Sequence, residues 1–220
     1  MLAPVSRLRL ADIRWLAKHH CRHGHTYLAH YNCFVRDNPL KQKIAFFDIE
    51  TSNLKADYGI MFCYCLLDND TGDISSRILT KKELEKNLDK EVTKQCVEDI
   101  SKYDRLVTYY GSQFDLPFVR SRALYWDIDF PAFGEINHDD MYFLIKGKFC
   151  LSRNRMENAC RTLLGKTEKT HIDANHWIRA LQGNKESLDW ILDHCKRDVR
   201  DLQRLHQKVV NYSKKKDSSI

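Results

Sequence analysis

The chain has 220 residues, 43% hydrophobic and 30% charged; this suits one well-buried domain with a small appendage and excludes a disordered chain. No apolar run approaches the roughly 20 residues that a membrane span needs. The net charge of +6 permits a polyanionic partner without requiring one.

Three parts are expected in chain order: a His/Cys-rich segment at 1–40, a folded domain at 41–212 and a basic, polar tail at 213–220. The N-terminus shows no apolar stretch followed by a small-residue cleavage site, so no signal peptide is expected. Six of the eight cysteines (Cys63, Cys65, Cys96, Cys150, Cys160 and Cys195) fall in segments that read as apolar strands or helices. Buried, reduced thiols and an intracellular, cytoplasmic setting follow as expectations.

Five of the ten histidines crowd into the first segment, with Cys21 and Cys33 bracketing most of them in CRHGHTYLAHYNC. Soft sulfur and nitrogen ligands at this density suit tetrahedral zinc. The best four-ligand set is Cys21, His25, His30 and Cys33, with His23 competing for the second place. The alternative is a basic patch on a nucleic-acid backbone, since Arg7, Arg9, Arg14, Lys18 and Arg22 share the segment.

From Lys43 onward strands and helices alternate. KIAFFDIET (43–51), IMFCYCLLD (60–68) and DISSRILT (73–80) read as a three-strand antiparallel meander, because their connections are short. Thr80 with Glu83 has capping-box spacing, which predicts a helix running to about Ile100. RLVTYY (105–110) is a fourth strand, followed by a helix from Phe114 to Trp126. Another helix spans about 152–164, with Gly165 as its cap. A long helix covers 185–211, where apolar residues from Leu188 to Val209 recur at three- and four-residue steps. The order predicts an α/β fold with a mixed sheet flanked by helices.

Three acidic features stand out. Asp48 and Glu50 sit two apart on the first strand and therefore share a face. In a buried strand they repel each other and are costly to desolvate, penalties that a divalent cation relieves. On an exposed edge strand they are ordinary solvated acids. Asp115 follows the fourth strand, where α/β sheets place ligands, yet an acid there also suits a helix N-terminus. His194 and Asp198 lie one turn apart on the last helix, as a site pair or as a solvated surface pair. Asp140 is a further acid in an apolar setting, a candidate to support the others.

The combination and its order resemble the three motifs of DEDD 3′→5′ exonucleases, in the flavour of B-family DNA polymerase proofreading domains and stand-alone phage or bacterial relatives. FFDIETSNL resembles the first motif, VTYYGSQFDLPFVRSRAL the second and LDHCKRDVRDLQRL the third, and the likeness covers about 43–210. HDDMYFL and LSRNRMENACRTLLGKTEKT resemble the intervening strand and helix. The resemblance implies a ribonuclease-H-like five-stranded mixed sheet. It also implies a two-metal Mg²⁺ or Mn²⁺ mechanism on single-stranded nucleic-acid 3′ ends, DNA ahead of RNA. Asp48, Glu50, Asp115 and Asp198 would be the metal carboxylates, His194 would accept or orient a water proton, and Thr51 and Leu54 would touch substrate. Two departures stand out: Gly-Ser-Gln where many members carry Asn before the second-motif Asp, and His194-x3-Asp198, a histidine at the tyrosine-type spacing. The competing readings are a catalytically silent module that binds nucleic acid or a polymerase, and a structure-specific endonuclease of the same fold.

Overall fold

The computed structural model describes residues 10–37, 42–168 and 173–213. Arg7, Arg9, the proposed boundary near residue 40 and the SKKKDSSI tail from Lys214 on lie outside the described residues. Two short helices, α1 (Leu10–Lys18) and α2 (Tyr31–Asp37), precede the main body. There follow β1 (Ile44–Thr51), β2 (Met61–Asp68), β3 (Ile74–Ile78), α3 (Lys81–Lys86), α4 (Lys90–Ile100), β4 (Arg105–Thr108) and α5 (Asp115–Tyr125). The chain continues through β5 (Asn137–Asp140), α6 (Met141–Lys148), α7 (Met156–Leu164), α8 (Ala174–Leu181) and α9 (Lys185–Val209).

The strands form one five-stranded sheet in the order β3-β2-β1-β4-β5. The expected meander is its antiparallel half, and β4 and β5 add parallel to β1. Every residue of β2 is buried, so both faces of the sheet are covered. Alternation assigns the faces. Tyr64 donates its hydroxyl to Asp99 of α4 at 2.5 Å, while Phe46 meets His206 of α9 ring to ring on the opposite side. The Asp48 and Glu50 side chains point to the α9 side, beside Cys65 and Cys63, their partners on β2.

The single helix expected from Thr80 to Ile100 is two helices. Thr80 and Glu83 do form the capping box of α3. The chain then breaks through Leu88, at φ 51°, to bring Asp89 inside. Asp89 is fully buried and accepts hydrogen bonds from the Met61 N–H at 2.9 Å, from Arg122 at 2.6 and 2.9 Å, and from the Trp126 indole at 2.9 Å. A continuous helix would hold Asp89 to helical geometry; the break lets one carboxylate tie α4, α5 and β2 together. Among the sequence-expected buried thiols Cys150 differs, being exposed in the loop after α6. Among the described residues no helix is long and apolar enough to cross a membrane.

Candidate active site

β1 occupies the middle of the sheet, which rules out the exposed-edge reading of Asp48 and Glu50. Pairing between β1 and β4 ends at Phe46 with Val107, and the chain leaves β4 after Thr108. Beyond that point the edge of β1 lies open, and the Ile49 N–H would lack a ladder partner. Asp115 fills the gap: its Oδ1 accepts from the Ile49 N–H at 3.2 Å, and the side chain is buried. The carboxylate therefore reaches across to β1, whereas no side chain caps α5 at Phe114.

The loop that delivers Asp115 is held from β5. Asp140 accepts from the Tyr110 N–H at 2.8 Å, the Ser112 N–H at 3.0 Å and the Ser112 hydroxyl at 2.6 Å, while also capping α6 through the Tyr142 N–H. Tyr110 adopts φ 69°, a left-handed conformation uncommon for a bulky residue, within this turn. Gly111 presses on Thr108, whose Oγ1 would lie 2.3 Å from any added Cβ. The Gly-Ser-Gln departure thus has a local reason: Gly111 allows the close approach and Ser112 supplies two donors to Asp140.

α9 supplies the other wall. Ile191, Cys195, Leu202, Leu205 and Val209 bury its apolar stripe, and the same face carries His194 and Asp198, 2% and 4% exposed. The surface-pair reading of His194 and Asp198 fails on that burial. His194 Nε2 lies 3.6 Å from Glu50 Oε1 and 3.8 Å from Asp198 Oδ2. Donor atoms of Glu50, His194 and Asp198 all fall within 4.8 Å of one another, close enough to share one cation. Asp48 shares the strand face with Glu50, and the Cys195 thiol donates to its carbonyl at 3.5 Å. Burial pushes the Cys63 thiol up to about 11, helped by Asp48 and Glu50, and holds Cys195 well above the ordinary thiol range. Both are inert packing groups here.

An aromatic stack missed at the level of sequence orients His194. His176 of α8 stacks on Trp190, and Trp190 stacks on His194 with ring planes 8° apart. Trp177 meets His194 edge-on and donates its indole N–H to the Thr51 carbonyl at 3.0 Å. The i,i+4 spacing of Trp190 and His194 was the available signal. Thr51 is buried, and its hydroxyl donates to the Asn53 carbonyl at 2.8 Å. Leu54, 77% exposed, opens a groove of about 670 Å³ shared with Tyr58, Phe114 and Tyr125.

The N-terminal segment gathers a different group. Cys21, His23, His30 and Cys33 place four donor atoms within 4.8 Å of one another. His25, expected in the second place, lies outside this group, with its ring edge-on to His30. The turn at Gly24, φ +80°, separates the two histidines, and His23, itself exposed, is the one whose Nδ1 meets the thiols of Cys21 and Cys33.

The RNase_H_2 family, of the RNase_H superfamily, matches residues 45–210. No curated protein matches the chain. Among solved structures, the family B DNA polymerase from the hyperthermophilic archaeon Pyrobaculum calidifontis is similar, with TM-score 0.61 and 16% identity. That likeness covers 77% of this chain and 24% of the polymerase, and at such identity it speaks for the fold alone.

Proposed function

The chain belongs to the RNase_H superfamily through its RNase_H_2 domain, and on that footing we propose that it is a metal-dependent 3′→5′ exonuclease of the DEDD type, acting on single-stranded ends and on DNA in preference to RNA. The observation that carries the reading is the convergence, at the open edge of β1, of acidic groups from three distant segments with one histidine. The direction of cleavage and the preference for DNA follow the motif resemblance. The nuclease is assigned to residues 41–212.

The donor set fits hard divalent cations: Asp48, Glu50, Asp115 and Asp198 offer carboxylate oxygens, the ligands Mg²⁺ and Mn²⁺ favour. Bound there, two such ions would supply Lewis acidity for the attacking and leaving oxygens of an in-line displacement. Asp48 and Glu50 project from a central strand and Asp198 from a packed helix, so the cage is stiff before any ion arrives. Asp115 is oriented by the Ile49 N–H. His194 stands beside Glu50 and Asp198, where its Nε2 can accept the proton of the attacking water or orient it. The stack on Trp190 fixes the plane of that ring.

The groove lined by Leu54 and by Phe114, the neighbour of Asp115 in sequence, suits a single strand. Leu54, Tyr58 and Tyr125 are 77%, 83% and 63% exposed, and bases stack on such side chains without regard to sequence.

The test is a digestion time course on 5′-labelled single-stranded DNA and RNA with Mg²⁺, Mn²⁺ or EDTA. A ladder shortened stepwise from the 3′ end, present with metal and lost in EDTA, is the expected result. Activity persisting in excess EDTA would refute the two-metal chemistry. Cleavage of a closed circle would move the protein to the endonuclease class, and binding without turnover would make it a silent module.

A further inference from the structure

The N-terminal module holds chemistry that the nuclease does not use. α1 and α2 are 9 and 7 residues long, too short to persist alone in water. Among the described residues their own apolar cluster consists of buried Leu16, Phe34 and Val35, with Tyr27, Tyr31 and the half-exposed ring of Trp15 packed against it. So small a cluster does not offset the entropy of ordering the segment, and small domains of this kind need a further constraint.

The four donor atoms supply one. The sulfur-to-nitrogen separations are 3.8 Å from Cys21 to His23, 3.5 Å from Cys21 to His30, 3.3 Å from Cys33 to His23 and 3.4 Å from Cys33 to His30. Both histidines present Nδ1. A zinc ion bonded at ~2.3 Å to sulfur and ~2.0–2.1 Å to nitrogen, with tetrahedral angles, sets each sulfur-to-nitrogen edge at about 3.6 Å. All four edges lie close to that value.

The backbone builds this arrangement from two tight pieces. Cys21 donates its N–H to the His25 carbonyl at 2.8 Å, and Gly24 donates to the Cys21 carbonyl at 2.9 Å, closing a turn that Gly24 permits through its positive φ. On the other side, the Cys33 N–H donates to the His30 carbonyl at 2.9 Å, which puts His30, just before α2, on the same side as Cys33 in the helix's first turn. Arg36, one turn further, donates Nη2 to the Cys33 sulfur at 3.3 Å. Cys21 and Cys33 are buried, 5% and 3% exposed.

We propose that Cys21, His23, His30 and Cys33 bind one zinc ion in a closed tetrahedral site that folds the N-terminal module. Four protein ligands leave no open position, so the ion is structural. Two thiols release their protons to solvent on binding, and the resulting thiolates neutralise the dication. Sulfur ligands discriminate against the Mg²⁺ or Mn²⁺ of the carboxylate cluster. The module also sits far from that cluster. Gln42 donates Nε2 to the Val35 carbonyl at 2.6 Å, and His30, Tyr31 and Val35 share a groove with Asp104, Glu135 and Asn137 at the starts of β4 and β5. Asp115 lies beyond the opposite end of β4.

The experiment measures metal in the full chain, purified without a histidine tag or chelator. One zinc per chain is expected by elemental analysis, and Co²⁺ exchanged into the site should give the intense visible absorption of tetrahedral cobalt with sulfur charge-transfer bands. Cys33→Ser and His23→Ala should lose the zinc, while His25→Ala should keep it. A chain that carries no zinc and gives no tetrahedral cobalt spectrum overturns the proposal. So does loss of zinc in His25→Ala with retention in His23→Ala, which would return the second ligand to His25. The cobalt spectrum of the unsubstituted chain decides the matter even where a variant fails to fold.

Discussion

The two donor clusters of this molecule are built in opposite ways. At the carboxylate cluster the fold comes first: β1 lies between β2 and β4, α9 packs its apolar stripe on that face, and Glu50 and Asp198 arrive already opposed. At the cysteine–histidine cluster the donors come first, since among the described residues three buried apolar side chains and two short helices are what else holds the chain. A hard site on a rigid frame can lose and regain its ion without unfolding, whereas a soft site on a thin frame is inseparable from its own folding. The difference teaches where to look for function and where for stability.

The largest expected effect is on the first cluster. Asp198→Asn should abolish turnover while circular dichroism and zinc content stay unchanged, because removing one charge from a repelling group does not burden the fold. Unchanged turnover would refute the role of Asp198, and a loss of zinc would break the claimed independence of the two clusters.

His194 comes next. His194→Ala should lose about 10²–10⁴-fold in kcat, the scale of a missing general base. His194→Tyr distinguishes two roles at this spacing. A side chain that only orients water by a hydrogen bond is replaced well by tyrosine. A proton acceptor is not, since a phenol titrates near ~10 and stays protonated at neutral pH. Near-normal activity in the alanine variant would reduce His194 to packing against Trp190.

The smallest of the three effects is on stability, and it sharpens the contrast of frames. Asp89→Ala leaves the Arg122 guanidinium buried without its carboxylate, and should cost about 3–5 kcal/mol in urea unfolding of the main body. Among the described residues the partners of the Asp89 carboxylate, Met61, Arg122 and Trp126, all belong to the main body, so zinc content in the folded protein should hold. A loss of less than 1 kcal/mol would mean that water reaches the pair.

Much of this was legible in the chain itself, where a pattern repeats within a few residues. The two-residue step of Asp48 and Glu50, the four-residue step of His194 and Asp198, the capping box at Thr80 and the apolar stripe of α9 all rest on local geometry, and each is present in the fold. Tertiary structure alone decided whatever depends on partners far along the sequence. The break before α4 exists because Asp89 binds Met61 and Arg122, 28 and 33 residues away. Asp115, while keeping its place in the first turn of α5, becomes a strand partner as well because β4 ends early and leaves the Ile49 N–H open. Asp140 earns its place by gripping a turn 28 and 30 residues upstream. The choice of His23 over His25 belongs to the same class, although the two stand close together. Spacing permits either, and only the folded turn at Gly24 selects which imidazole meets Cys33. Periodicity reports which side of an element a residue occupies, while the identity of what waits on that side is set by how the elements pack.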